Sequence, residues 1–352
     1  MPRRPLPLIL VLLAACGGSS KPQAIDAPKN QWTWVDFPDS HCGNGTSTGI
    51  AINPGDGPDL VIFLFAGGAC WSRDTCSSSD YVTTSSFGEL AFLFLEQSQF
   101  SAQTFFDRAL PGNPFASYSM VFVPYCTGDI HGGENTVDYG GGLTWWHWGH
   151  ANFDLFMERV AATFPSPGRV VLAGSSAGGF GTMLNYPTVR AHWPNAQSYL
   201  IDDSGPALKG DAIPKDIRDA WYAQWRLDQV LDPFCPDCRS DLSAGYTALA
   251  AGFPQDRMSL VSFVKDTTIP FFFRDEATFS SDLNTLTTSV LAPLTNFRTF
   301  LVGDASPGGI SGHVLFLDPS GVSSGGTTLT EWLGQQVTDA PGWSSEPPVP
   351  LP

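Results

Sequence analysis

The sequence predicts an α/β three-layer sandwich, with helices on both faces of a central, mostly parallel sheet, and three observations carry that expectation. Short apolar runs without polar alternation recur along the chain, which suits strands buried on both faces. Segments of helical periodicity lie between them. Gly and Pro number 36 and 29 while charged residues are only 15% of 352, a composition of loops between buried strands and not of coiled coil. Hydrophobic residues at 42% suffice for a large core, so overall disorder is excluded.

The chain opens with Arg3 and Arg4, an apolar run from Leu6 to Leu13, and Leu13-Ala14-Ala15-Cys16. That run is too short to span a bilayer as a mature helix and reads as a signal peptide over 1–15. Leu-Ala-Ala-Cys is similar to the bacterial lipobox, in which the Cys takes a diacylglycerol and becomes the mature N-terminus. An ordinary signal peptide with Cys16 incidental is the alternative. Either way export is expected, and Gly17, where an Asp would suggest inner-membrane retention, favours the outer membrane. Residues 16–30 are expected as a flexible linker, 31–337 as the folded domain, and 338–352, with its prolines, as an unfolded tail.

Within the domain, strands are expected at Leu60–Phe65, Ser119–Val123, Val170–Ala173, Ser198–Ile201, Met258–Val264 and Arg298–Val302. Ala151–Phe164 reads as a helix, because Phe153, Phe156, Val160 and Phe164 fall on one stripe and Pro165 follows. The formal charge is −16, from 34 acids and 18 bases; without Arg3 and Arg4 it is about −18. Such a surface repels phosphate backbones and anionic headgroups. No nucleic-acid partner is expected, membrane contact only through the N-terminal lipid, and a monomer.

Export gives the other six cysteines a meaning. Cys42, Cys70, Cys76, Cys126, Cys235 and Cys238 read as three disulfides, with fifteen pairings open. Cys235-Pro-Asp-Cys238 has redox or zinc spacing, but no second CxxC, nearby His or thioredoxin-like context accompanies it. A local staple is the expectation.

The chemistry begins at Val170-Val-Leu-Ala-Gly174-Ser-Ser176-Ala-Gly178-Gly179, a G-x-S-x-G directly after a buried strand. A sharp strand-to-helix turn lifts a hydroxyl clear of the sheet, and only glycines tolerate the crowding beside it. Ser176 is the candidate nucleophile, and Ser175 is out of register. A serine needs a base, and the base an orienting carboxylate. Doubly wound hydrolases order these as Ser, acid, His. Only His192 and His313 follow Ser176; His192 reads as the end of the next helix, so His313 is the expected base. Asp266, directly ending a strand, is the expected acid. Asp275 lies further on, and Asp202 and Asp203, ending the strand after Ser176, stand as fallback. Asp129 and His131, in a Gly-rich loop after a strand, are expected at the site rim, either binding substrate or bracing the loop. Leu143–Trp148 suits sugar stacking, although half its rings should face the core. Phe271-Phe-Phe273 is expected in the core, with an acyl-pocket lining as the alternative.

Phe65-Ala-Gly-Gly-Ala-Cys-Trp71 with Cys76, Val123-Pro-Tyr-Cys-Thr-Gly-Asp-Ile-His131, and Gly174-Ser-Ser-Ala-Gly-Gly179 together resemble the ordered blocks of the pectin acetylesterase and Notum family of serine carboxylesterases. Leu260–Asp266 is similar to the family's strand ending in its catalytic Asp, and His313 falls where its catalytic His lies. The resemblance runs from about Ser40 to Val314. It implies an α/β-hydrolase-like fold, a Ser176, Asp266, His313 triad, and an oxyanion hole from the amides of Gly68, Ala69 and Ala177. At Ala69 the family usually has Trp, so the wall that ring forms is missing here. Cys70 with Cys76, and Cys42 with Cys126, are the pairings the resemblance implies. Trp71, Asp129, His131 and Trp146 are the candidate substrate rim.

The expected function is an exported serine esterase that removes acetyl or other short acyl groups through an acyl-enzyme, with no metal and no organic cofactor. The negative charge disfavours a polyanionic pectin backbone, which leaves an acylated neutral carbohydrate or a small ester as substrate. A lipase or polyester depolymerase on the same fold, and a catalytically inactive surface glycan-binding protein, are the alternatives.

Overall fold

Strands built from apolar runs must bury both faces, and the computed structural model, which describes residues 22–100, 104–274, 277–303 and 312–346, shows how they do so. The chain forms β1 (Thr33–Phe37), β2 (Thr48–Asn53), β3 (Leu60–Leu64), β4 (Ser119–Val123), a hairpin of β5 (Asn135–Asp138) and β6 (Thr144–His147), then β7 (Arg169–Ser175), β8 (Gln197–Asp203), β9 (Arg257–Phe263) and β10 (Phe297–Val302). Apart from the β5–β6 hairpin these make one eight-stranded sheet in the order β1-β2-β4-β3-β7-β8-β9-β10. The pairs from β4 to β10 are parallel, while β2 runs antiparallel to both β1 and β4. The expected mostly parallel α/β sandwich is the observed fold.

The period of two along each strand sorts side chains into two cores. Leu60, Ile62, Leu64, Val170 and Leu172 face one side, where Phe153, Phe156 and Val160 of the helix Gly149–Thr163 and Phe180, Met183 and Leu184 of the helix Ala177–His192 cover them. Val61, Phe63, Val171, Ala173 and Ile201 face the other, under Phe92 and Leu95 and the helix Leu329–Val337. In chain order the helices used below are α1 (Arg73–Cys76), α2 (Glu89–Leu95), α3 (Gly149–Thr163), α4 (Ala177–His192) and α5 (Lys215–Trp225). Each expected strand and the expected helix is present, with ends within two residues.

β1, β2, β5 and β6 escaped the sequence reading for a common reason. β1 is only partly buried, and the β5–β6 hairpin alternates exposed and covered residues; none shows a continuous apolar run. β2, though buried throughout, carries Thr, Gly and Asn among its residues.

Two expected boundaries are corrected. Residues 23–30 do not hang free as a linker: the Arg159 guanidinium donates to the Gln23 carbonyl, the Ile25 amide to Thr163 Oγ1, and the Asn30 amide to the Pro54 carbonyl. The stretch from Thr338 is likewise folded as far as Glu346, whose amide donates to the Thr299 carbonyl while the Leu301 amide donates to its own. Trp343 is buried there, with Arg257 and Arg298 over its ring. The expected signal peptide and Cys16 lie outside the described residues, as does Asp275. Among the described residues no helix is long and apolar enough to cross a membrane.

The cysteines pair Cys42–Cys126, Cys70–Cys76 and Cys235–Cys238. The first ties the segment before β2 to the loop after β4, and the last is a local staple.

Candidate active site

Ser176 sits between the end of β7 and the start of α4, with φ 56 and ψ −118, a backbone conformation rare for a residue bearing a Cβ. Its amide donates to the Asp203 carbonyl at 2.7 Å on the neighbouring strand. The flanking glycines are required sterically: a Cβ on Gly174 would strike the Gly178 carbonyl, and one on Gly178 the Leu64 carbonyl. The elbow therefore turns the chain from the end of β7 directly into α4. The first-turn amides of α4 point toward the Ser176 side, where an anion is favoured.

His313 Nδ1 lies 2.6 Å from Asp266 Oδ2. Asp266 follows β9, and its other oxygen accepts the Thr268 and Ile269 amides at 2.8 Å each. Those two bonds fix the carboxylate plane and leave Oδ2 for the ring. A carboxylate accepts only, so Nδ1 carries the proton and Nε2 presents a lone pair. Nε2 is buried with no hydrogen-bond partner among the described residues. The bond from a serine hydroxyl to such a base commonly tightens only when substrate is bound. His192, by contrast, is the last residue of α4, away from this arrangement.

Asp203 serves differently. Its carboxylate accepts the Ser175 hydroxyl at 2.6 Å and the amides of Leu315 and Phe316, and burial pushes its pKa up. Asp202 is buried too, accepting the Tyr246 hydroxyl and the Gly205 amide; burial raises it to about 7. Neither hydrogen-bonds to the His313 ring, whose Nδ1 bonds Asp266.

Beside Ser176 lies a pocket lined by Gly68, Ala69, Ala177, Ile130, Phe180, Trp221, Ile269, Phe272 and Phe273. Of the three expected oxyanion donors, the Ala69 amide is already committed, donating to the Tyr81 carbonyl at 2.7 Å. That expectation is corrected. The Gly68 and Ala177 amides have no acceptor among the described residues. Gly68 adopts φ +79 and a Cβ there would strike the Tyr81 carbonyl, so this turn needs glycine. The Cys70–Cys76 disulfide and the bond from Trp225 Nε1 to the Cys70 carbonyl, 2.9 Å, fasten the loop behind it. Both sulfurs lie within 4.8 Å of a His147 ring nitrogen, but sulfurs joined in a disulfide offer no thiolate to a metal.

The expected rim is mostly not a rim. Asp129 is fully buried and accepts the Thr127 hydroxyl and the Gly133 and Gly149 amides; burial raises its pKa to about 6. It braces the loop leading into α3. His131 is buried with Nε2 donating to the Phe65 carbonyl at 2.9 Å, and burial lowers its pKa to about 4. Trp146 is half-buried over Gly45 and stacked on His41, apart from the pocket residues. Trp71 comes nearest, packed edgewise on Tyr81 and on Trp221, which lines the pocket. The sequence reading missed Ile130, Phe180, Trp221 and Ile269, whose apolar character marks core and pocket alike. Phe272 and Phe273 take the pocket-lining alternative, while Phe271 is 41% exposed.

Palmitoleoyl-protein carboxylesterase NOTUM of Schmidtea mediterranea is 27% identical over 157 residues, 42% of this chain and 29% of the relative, so the similarity spans under a third of that protein's length. The pectinacetylesterase family matches residues 29–278, a span that holds Ser176 and Asp266 and ends before His313. With the match extending over more than half of its length, the chain belongs to the pectinacetylesterase family.

Proposed function

We propose that this chain is an exported serine esterase that cleaves acetyl or other short acyl esters of a neutral carbohydrate or small molecule. The observation that carries the reading is the 2.6 Å bond between His313 Nδ1 and Asp266 Oδ2, on a loop anchored to the same strand end that binds the Ser176 amide. Ser176 Oγ attacks the ester carbonyl carbon and its proton passes to His313 Nε2. Asp266 holds the ring in the required tautomer and stabilises the imidazolium. The carbonyl oxygen, now an oxyanion, takes the Gly68 and Ala177 amides, each such donor being worth roughly 3 kcal/mol of barrier. Collapse expels the alcohol with the proton from His313, and the acyl group stays on Ser176. Water then attacks, giving a proton to His313, and His313 returns it to Ser176 Oγ as the acyl–Oγ bond breaks and the acid leaves.

Room for the acyl group supports a short one. The cavity measures about 20 Å³ on the scale where one water needs ~10–15 Å³, and Trp221, Phe180 and Phe273 are among the side chains that line it. A longer chain is the second reading, favoured by the almost wholly apolar lining and by the long acyl group named for the NOTUM relative. It requires lining rings such as Phe272 to move. Anchoring through Cys16 to the outer membrane, and a monomeric state, are part of the proposal.

The test is hydrolysis of p-nitrophenyl acetate, butyrate and palmitate by the protein and by Ser176→Ala. Acetate turnover that disappears in the variant supports the reading, and palmitate preference supports the second. Turnover indifferent to Ser176 removes the mechanism.

A further inference from the structure

We propose that Asp203 and Ser204 are positioning residues that lock the loop bearing His313 onto the nucleophile's strand, an inference that rests on the Ser176–His313–Asp266 reading above. The base is held from two sides. On one, Asp266 bonds its ring, and the Thr267 amide donates to the Gly312 carbonyl at 3.3 Å. On the other, hydrogen bonds made by His313, Leu315 and Phe316 converge on the end of β8.

Asp203 pairs with Ser175 in the β7–β8 register, so its backbone and side chain face the elbow together. Its carbonyl accepts the Ser176 amide, and Oδ2 accepts the Ser175 hydroxyl. The same carboxylate accepts the Leu315 amide at 3.0 Å and the Phe316 amide at 2.9 Å. One acceptor-only group thus gathers donors from the residue before the nucleophile and from the two residues that lie second and third after the base. Ser204 completes the link: its hydroxyl oxygen is 2.5 Å from the His313 carbonyl and 3.0 Å from Asp203 Oδ1. A hydroxyl has one proton, and the nearer carbonyl takes it.

The backbone points the same way. Ser204 has φ 60 and Ser176 φ 56, so two non-glycine residues on neighbouring strand ends occupy the left-handed region. Such a conformation is unfavourable for a residue with a Cβ and persists where its surroundings fix it. At Ser204 the surroundings are the bond to the His313 carbonyl and its own amide donating to the Val261 carbonyl at 2.8 Å. Asp203 and Ser204 are both fully buried. No solvent competes for these bonds, and the assembly transmits the position of Ser176 to His313 without touching substrate.

Two substitutions separate positioning from stability. Asp203→Asn keeps the volume but replaces one acceptor oxygen with a donor that opposes the Leu315 and Phe316 amides. Ser204→Gly removes the hydroxyl on the His313 carbonyl and relieves the positive φ, so loss of folding is not its expected effect. The readouts, on purified full-length protein, are kcat and KM for p-nitrophenyl acetate, the melting temperature, and the rate at which a fluorophosphonate labels Ser176. Displacing a catalytic group by an ångström costs about 10²-fold, so kcat falls about that much in Asp203→Asn and about tenfold in Ser204→Gly. KM stays within about twofold, the labelling rate falls with kcat, and Ser204→Gly melts no lower than the parent. Wild-type kcat and labelling in folded Ser204→Gly overturns the proposal, and if Asp203→Asn does not fold, Ser204→Gly decides alone. Ser176→Ala run beside them keeps the two ideas apart: activity surviving there sinks the triad itself, whereas an inactive Ser176→Ala with an unaffected Ser204→Gly sinks only the positioning role.

Discussion

Removing the disulfides one at a time should separate stability from activity. Cys42–Cys126 closes a loop of sequence separation 84, and Cys70–Cys76 one of 6. In the chain-entropy treatment these constrain the unfolded state by about 4.5 and about 2 kcal/mol. With an unfolding entropy near 2.1 cal/mol/K per residue, a domain of this size loses about 0.7 kcal/mol per degree, so the melting temperature should fall by about 6–7 °C and about 3 °C respectively. Activity should rank the other way. Cys70 directly follows Gly68 and Ala69, and its amide donates to the Gly128 carbonyl at 2.8 Å. Freed of Cys76, this loop lets the Gly68 amide drift, and loss of one oxyanion donor costs about 10²-fold in kcat. Cys42 and Cys126 hold the scaffold and line no part of the pocket. The assay is a double Cys→Ala variant of each pair, followed by thermal unfolding and by ester turnover at 25 °C. Turnover unchanged without Cys70–Cys76, or a larger melting shift there than without Cys42–Cys126, would refute the reasoning.

Further expectations follow from single side chains. Asp266→Asn should keep the Thr268 and Ile269 bonds through its oxygen but turn an NH₂ toward His313 Nδ1, which imposes the wrong tautomer; kcat should drop by about 10⁴ at unchanged fold, and a loss under tenfold would contradict the assignment. Asp202 binds its proton more tightly in the folded state, at about 7, so its contribution is complete below pH ~4 and is lost as pH rises to 7, on the order of 4 kcal/mol at 1.36 per unit. Asp202→Asn can still accept from Gly205 and lets Tyr246 turn its proton to the Gly205 carbonyl; its unfolding free energy should gain on the parent between pH 4 and 7, and parallel curves would show the reasoning wrong. Trp221→Ala should empty the end of the pocket and raise butyrate relative to acetate turnover about tenfold, at a cost of about 3–5 kcal/mol in stability; an unchanged ratio would place the acyl group elsewhere.

Much of the fold was legible because parallel strands buried on both faces need continuous apolar runs, and Leu60–Leu64, Ser119–Val123 and Arg257–Phe263 supply them. What stayed hidden lacks that signature. β1 reads Thr-Trp-Val-Asp-Phe, half of it facing out, and the closing segment around Trp343 and Glu346 is held by tertiary contacts that local sequence does not announce. Ser176 was visible because an elbow constrains its neighbours to glycine. The partnership of Asp266 with His313 followed from strand order, but no sequence rule distinguishes a carboxylate that orients a ring from one, like Asp203, that binds backbone amides. Asp129 and His131 misled because a Gly-rich loop after a strand resembles a site rim; here the glycines let the backbone close around a buried carboxylate, Gly133 and Gly149 leaving no space for a Cβ beside Asp129.

The short return of the chain at Glu346 has a consequence for how the molecule behaves in company. β10 is the last strand of the sheet, and an open terminal strand invites another chain to add to it. Glu346 occupies the middle of that edge, bridging Phe300 and taking both main-chain bonds there, with a carboxylate carried on the same residue. A single residue cannot extend the sheet, yet it denies the central rungs of the ladder to any neighbour. Truncation before Trp343 would leave the catalytic groups in place and expose a sticky border, so the damage would surface as precipitation at high concentration and not as lost turnover.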